Sequence, residues 1–156
     1  MELQPKRVKD SYTEQVQILY LSTLNGYNRL FGGRLMQWID VVAAVVARRH
    51  SGCNVTTATV DSLEFLGPAY ANDTLVLKGK ITYVGTTSME IRVDSFVEEL
   101  SGKRRLVNTA YVVMVAIDEN ERPCRVPALI VETKEELCEY QMAEQRYLAR
   151  KQRQKK

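Results

Sequence analysis

Residues 24–50 read LNGYNRLFGGRLMQWIDVVAAVVARRH, and the fold turns on this stretch. Leu35, Trp38, Ile39, Val42, Val45 and Val46 cover most of a helical circumference, so the spacing predicts a helix over 33–49. A helix apolar on nearly every side must be wrapped by something. Two features of it are costly. Gly32 and Gly33 stand together at the helix start, although glycine costs a helix about 1 kcal/mol against alanine. Asp40 is the only charge between Arg34 and Arg48, and a carboxylate in apolar surroundings is expensive unless paired or hydrogen-bonded.

The wrapping material lies on both sides of the helix. TEQVQILYLS alternates Val16, Ile18 and Tyr20 with polar neighbours, which predicts a first strand. Four more strand patterns follow, over 55–68, 74–85, 88–100 and 104–118, each bounded by turn residues such as Gly67-Pro68, Asn72-Asp73 and Ser101-Gly102. In the third of these, Met89, Ile91, Val93 and Val97 alternate with Glu90, Arg92 and Asp94, the sign of a sheet with one wet face. The fourth is apolar on both sides and reads as central. The connections are too short for crossover helices, so sequence neighbours are expected to pair antiparallel. One buried helix against about five antiparallel strands is an α+β fold. From ETKEELCEY onward the pattern returns to helix, giving a domain over 8–130 and a C-terminal helix with a basic tail over 131–156.

Composition limits the function classes. The 156 residues, 45% of them hydrophobic, suit one domain with one core. The polar start and the shortness of the VVAAVVA run argue against a signal peptide or a membrane span, and point to a soluble cytoplasmic protein. Cys53, Cys124 and Cys138 form no CxxC, and His50 is the only histidine, so no metal set is apparent and the thiols read as reduced and structural. His50 follows Arg48 and Arg49, where an imidazolium would suit a helix C-terminus. Six of the 22 basic residues lie in 146–156, leaving 16 against 19 acidic ones, so the net charge of +3 belongs to the tail. That tail is a solvated end or an attractor of phosphates.

The costly residues have two readings each. Gly32-Gly33 is either a tight strand-to-helix turn or an anion site, where unpaired N–H groups and the helix dipole meet a ligand oxygen with no Cβ in the way. Neither GxGxxG nor GxxxxGK[ST] is present. Asp40 is either a structural carboxylate or a base, with Ala43 and Ala44 leaving space beside it and burial raising its basicity. Asn25-Gly26 is a turn signal whose amide can also orient a water or a carbonyl, and Thr57 is either a good strand former or a hydroxyl near the helix.

The spacing of Asn25, Phe31-Gly32-Gly33 and Trp38-Ile39-Asp40, followed by VTTATVDSLEFLGPAYANDTLVLKGKITYVGTTSMEI and VAIDENERPCRVP, resembles the acyl-CoA thioesterases of the hotdog fold, the cytosolic acyl-CoA hydrolase type. The likeness covers about residues 12–128. One departure is Asn28, where the family usually has glycine. The resemblance implies a long helix wrapped by a five-stranded antiparallel sheet, subunits joining their sheets in dimers, often three dimers in a hexamer, and active sites between subunits. It makes Asp40 the catalytic carboxylate, Asn25 its partner from the facing subunit, and Gly32 and Gly33 the donors that polarise the thioester carbonyl. Thr57 falls where a hydroxyl positions water. Gly85, Thr86, Thr87 and Ser88 match a turn along the coenzyme A arm. The substrate is then acyl-CoA, with no cofactor and no nucleic-acid or membrane partner. Whether Asp40 acts as general base or attacks to form an anhydride stays open, and a non-catalytic acyl-CoA sensor of the same fold is the alternative.

Overall fold

A computed structural model describes residues 2–155. In chain order its elements are β1 (Lys6–Arg7), α1 (Val8–Ser11), β2 (Thr13–Ile18), a 3-10 turn (Leu21–Thr23), α2 (Gly32–Ser51), β3 (Asn54–Phe65), β4 (Thr74–Val84), β5 (Ser88–Glu98), β6 (Arg104–Ile117), β7 (Leu129–Ile130) and α3 (Lys134–Gln154). α2 ends where Gly52 takes a left-handed φ of 70° and its N–H closes on the Arg48 carbonyl at 2.8 Å, the usual glycine stop. Its start has no such closure. Phe31 is the N-cap, no side chain among the described residues caps the helix, and no acidic residue stands in the first turn.

The five-stranded antiparallel sheet has the order β2-β4-β5-β6-β3, and a separate parallel pair joins β1 to β7. α2 lies on one face, burying Leu35, Ile39, Val42 and Val46 against Leu77, Ile91, Val112 and Met114. Each fully buried aliphatic side chain of this kind contributes about 1.5–3 kcal/mol. Gly79 on β4 sets how closely the helix sits, since a Cβ there would lie 2.6 Å from Val42 Cγ1 and 3.0 Å from Val46 Cγ2.

The expected pairing of sequence neighbours holds for β4-β5-β6 and fails at β3, which pairs with β6 while β4 pairs with β2. The cause is α2: the chain crosses beneath the sheet from one edge to the other, and 66–73 brings it back. β5 is therefore the middle strand, and β6 is interior without being central.

The helix is also less wrapped than its composition implies. Met36 is 43% and Val41 49% exposed, on the side that carries Asp40. Among the described residues the sheet has five strands and stops at β3, so this stripe extends past its edge. Ala43 is fully buried in the core and leaves no space for a ligand; Ala44 is half-buried.

The face of β5 expected to be wet is covered by α3. Glu90 is 1% exposed and accepts from Arg146 Nε at 3.0 Å and Nη2 at 2.8 Å, and from Arg150 Nη1 at 3.3 Å. Arg150 also donates to Asp61 on β3 at 3.0 Å, joined there by Arg153 at 3.2 Å. The tail is thus a clamp up to Arg153 rather than a solvated end, because a carboxylate on the sheet's outer face needs cations once a helix covers it. His50 is no helix-end imidazolium. It is fully buried, its Nε2 donates to the Pro127 carbonyl at 2.8 Å, and burial pushes its pKa below the usual 6.5, so the ring is neutral.

Candidate active site

The site grows from the uncapped start of α2. Its first two bonds onto Phe31 O come from Arg34 N at 3.0 Å and Leu35 N at 3.1 Å. The N–H groups of Gly32 and Gly33 meet no acceptor among the described residues. A helix of 20 residues so left open presents donors and the positive end of its dipole to whatever approaches. Phenylalanine rings flank the opening. A Cβ on Gly33 would lie 2.7 Å from the Phe31 ring, and one on Gly32 would lie 3.4 Å from that of Phe65.

Asp40 sits seven residues after Gly33, two turns along the same face and about 10 Å further on. Its Oδ1 accepts from Thr57 Oγ1 at 2.6 Å. Thr57 turns toward the helix at a break in the β3-β6 register, where Thr57 faces Met114 and Thr59 faces Val113 with Ala58 bulged between. Bulges of this kind re-aim a side chain. With one oxygen bonded to Thr57, the carboxylate keeps its second oxygen for another partner. Asp40 and Thr57 are exposed in the protomer, so the burial expected of Asp40 is not supplied by its own chain. Both lie along the edge of β3, whose outer side has no neighbouring strand among the described residues.

Asn25 is elsewhere. Its Oδ1 accepts from Tyr27 N at 2.8 Å and Arg29 N at 3.2 Å, fixing the turn that leads into α2. Asn28 takes φ 59° there, so it fills the left-handed position the family usually gives to glycine, a conformation asparagine tolerates. Asn25 lines a concavity of about 400 Å³ with Leu30, Phe65 and Val107, and Asp40 does not reach it. One chain therefore brings Asp40 and Thr57 together, places Gly32 and Gly33 on the same stripe, and leaves Asn25 apart.

Gly85, Thr86, Thr87 and Ser88 form the β4-β5 hairpin, closed by Gly85 N to Ser88 O at 2.9 Å. It is tied to the rest through Thr87 O, which accepts from Ala116 N, and Thr86 O, which accepts from Val126 N, both at 3.0 Å. Residues unmarked by the sequence reading also shape the region. Phe65 borders the helix opening, and Asp61 anchors β3 to α3. The arginines at 146, 150 and 153, three or four apart on one helix face, were the available signal for that anchor.

A helix cradled by a five-stranded antiparallel sheet, with its glycine start and a carboxylate facing one edge, defines a hotdog thioesterase. Residues 27–101 match the model of the thioesterase superfamily. The uncharacterised acyl-CoA thioester hydrolase YkhA of Bacillus subtilis (strain 168) is 38% identical over 93% of this chain and 85% of its own length. A hexameric acyl-CoA thioesterase superposes with a TM-score of 0.92 at 36% identity, covering 97% of both chains. An acyl-CoA hydrolase from Staphylococcus aureus, solved with butyryl coenzyme A, coenzyme A and coenzyme A disulfide, superposes at 0.90 with 33% identity over 96% of this chain and 92% of that one. Variants of that hydrolase with alanine at an aspartate, an asparagine or a threonine superpose at 0.91, 0.93 and 0.90. The chain belongs to the acyl-CoA thioester hydrolases of the thioesterase superfamily.

Proposed function

We propose that the protein hydrolyses acyl-CoA to a free carboxylic acid and coenzyme A at a site shared by two subunits, using water and no cofactor. The observation that carries this reading is the 2.6 Å bond from Thr57 to Asp40 beside an uncapped glycine helix start. The thioester oxygen accepts from the N–H groups of Gly32 and Gly33, which stabilise the charge that develops on it. Asp40 is the base. Thr57 holds one of its oxygens, and the other is left to take a proton from the attacking water. Thr57 orients the carboxylate and Asn25 of a second subunit completes the site, since Asn25 lies away from Asp40 within one chain. In the Staphylococcus aureus hydrolase the substituted asparagine, aspartate and threonine stand 15 and 17 residues apart, as Asn25, Asp40 and Thr57 do here.

The exposed stripe of α2 and the free edge of β3 are what a dimer of joined sheets covers, and three such dimers make the hexamer we favour. A hexameric relative supports assembly of this kind. We take residues 8–130 as the catalytic domain and 131–156 as a C-terminal helix and basic tail. We assign the protein to the cytoplasm, where its three free cysteines stay reduced; among the described residues no helix is long and apolar enough to cross a membrane. The hairpin of Gly85, Thr86, Thr87 and Ser88 lies along the coenzyme A arm. A panel of acyl-CoA esters from two carbons upward, followed by free-thiol release, tests the activity. Turnover of at least one chain length is expected. Tight binding of coenzyme A esters with no thiol released would make the protein a sensor instead.

A further inference from the structure

Cys53 and Cys124 lie 71 residues apart in the chain, and their sulfurs stand 3.7 Å from each other. Cys53 occupies the turn between Gly52, where α2 stops, and Asn54, where β3 starts. Its N–H donates to Ser51 Oγ at 3.1 Å and its thiol to the Ser51 carbonyl at 3.6 Å. Cys124 follows Pro123, which bridges to Ile117 at the end of β6, and its N–H donates to the Ala116 carbonyl at 2.9 Å. The fold thus brings the two sulfurs together from distant segments, while neither cysteine lies inside a regular element. Both are half-buried, packed against the core on one side and open on the other to a cleft of about 790 Å³ that Arg48, Asn54 and Asp118 also line. Two thiols that served core packing alone would need no such opening, and partly exposed thiols are the reactive ones. The contact is also directional. Cys124 donates its S–H to Cys53 Sγ, and burial first, then that bond, push the Cys124 thiol above its ordinary value. Cys53 is therefore the sulfur that attacks and Cys124 the one that resolves.

We propose that Cys53 and Cys124 are a reversible modification site, closed to a disulfide by exchange with a low-molecular-weight disulfide such as oxidised glutathione. The Cys53 thiolate attacks one sulfur of that disulfide, forming a mixed disulfide and expelling one small thiolate, which takes up the proton Cys53 gave up. Cys124 then loses its proton and attacks Cys53 Sγ, and the second small thiolate leaves and is protonated. The two protein sulfurs are oxidised by two electrons, and the small disulfide is reduced to two thiols. The sulfurs close from 3.7 Å to about 2.05 Å, a shift taken up by the turn that holds Cys53 and the loop that holds Cys124. The bond joins positions 71 residues apart, so it restricts the unfolded chain and stabilises the fold. The pair stays open in a reducing compartment and closes as small disulfides accumulate.

Reduced full-length protein is incubated with oxidised glutathione, then denatured, alkylated and measured by mass spectrometry. It should lose two of its three free thiols, become lighter by two hydrogens, and yield a peptide pair joining Cys53 to Cys124. Dithiothreitol should restore all three. Cys124→Ala should instead hold glutathione on Cys53, and Cys53→Ala should form no internal bond. Cys138→Ala, which removes the exposed thiol on α3, should close as the wild type does. In urea the oxidised wild type should unfold at a higher midpoint than the reduced one, and Cys53→Ala should lose that difference. The proposal is overturned by wild-type protein that keeps all three thiols, that carries a stable glutathione adduct with no internal bond, or that joins either cysteine to Cys138 or to a second subunit. Peptide mapping of the wild type decides the matter even where an alanine variant fails to fold. None of these readouts uses an acyl-CoA ester, so the outcome is independent of the hydrolytic function.

Discussion

Asp40 holds a bond from Thr57 on one oxygen, so exchanging that carboxylate for an amide separates chemistry from packing. Asp40→Asn is nearly isosteric and should fold, while kcat falls roughly 100-fold or more, the scale of a positioned base. Thr57→Ala and Asn25→Ala should cost less, because in the proposed reaction they orient and polarise without taking a proton. Gly33→Val brings its Cβ within 2.7 Å of the Phe31 ring and its methyls over the helix opening. Loss of one oxyanion donor typically costs about 100- to 1000-fold in rate, so the variant should fold with its Phe31 ring displaced and lose most turnover. Circular dichroism beside the thiol-release assay checks both halves. His50 gives a pH dependence. Burial lowers its pKa in the folded state, so the unfolded chain binds the proton first as pH falls. The stability tied to the neutral ring is complete above about pH 6.5 and is lost as pH drops through the folded value. Urea midpoints should therefore decline from about pH 7.5 to about 5.5, and His50→Gln should flatten that slope.

At the scale of elements, α3 shows where sequence reading stops. The five strands, the long helix and its glycine start were legible, because each rests on periodicity or on turn residues within one segment. The sheet order was not, since nothing local says that β3 must cross to the far edge. Glu90 looked like a solvated residue by strand alternation, and only the docking of α3 turns it into a buried partner of Arg146 and Arg150. The same ignorance of docking made the tail read as a solvated end or an attractor of phosphates. Of the candidate site, Asp40 and the glycines stood out by being costly where they are. Thr57 and Asn25 looked ordinary until the family resemblance marked them. Arg150→Ala should destabilise the protein by about 1–3 kcal/mol, the cost of leaving a buried charged partner under-satisfied, and it should shift the urea midpoint accordingly. Glu90 retains Arg146, so a complete collapse is not expected. Deleting 150–156 should destabilise at least as much, and full stability of the truncated protein would mean that the clamp contributes nothing.

At the scale of the whole molecule, the protomer is incomplete in three matching ways. Its helix shows Met36 and Val41 to solvent, its sheet ends in the free edge of β3, and its Asn25 lies in a different concavity from Asp40. A second copy with closed symmetry answers all three. Sedimentation should show a dimer or a hexamer, and a stable monomer with full activity would remove the shared site. The most direct measurement mixes Asp40→Asn and Asn25→Ala subunits by unfolding and refolding, then follows thiol release from an acyl-CoA ester. If each site takes Asp40 from one chain and Asn25 from its partner, a mixed dimer contains one intact site and one doubly broken site. Statistical reassociation should then restore about a quarter of wild-type activity, above either variant alone. No recovery in verified mixed dimers would contradict a site shared between subunits, and full activity of Asp40→Asn by itself would contradict the hydrolytic role of the carboxylate.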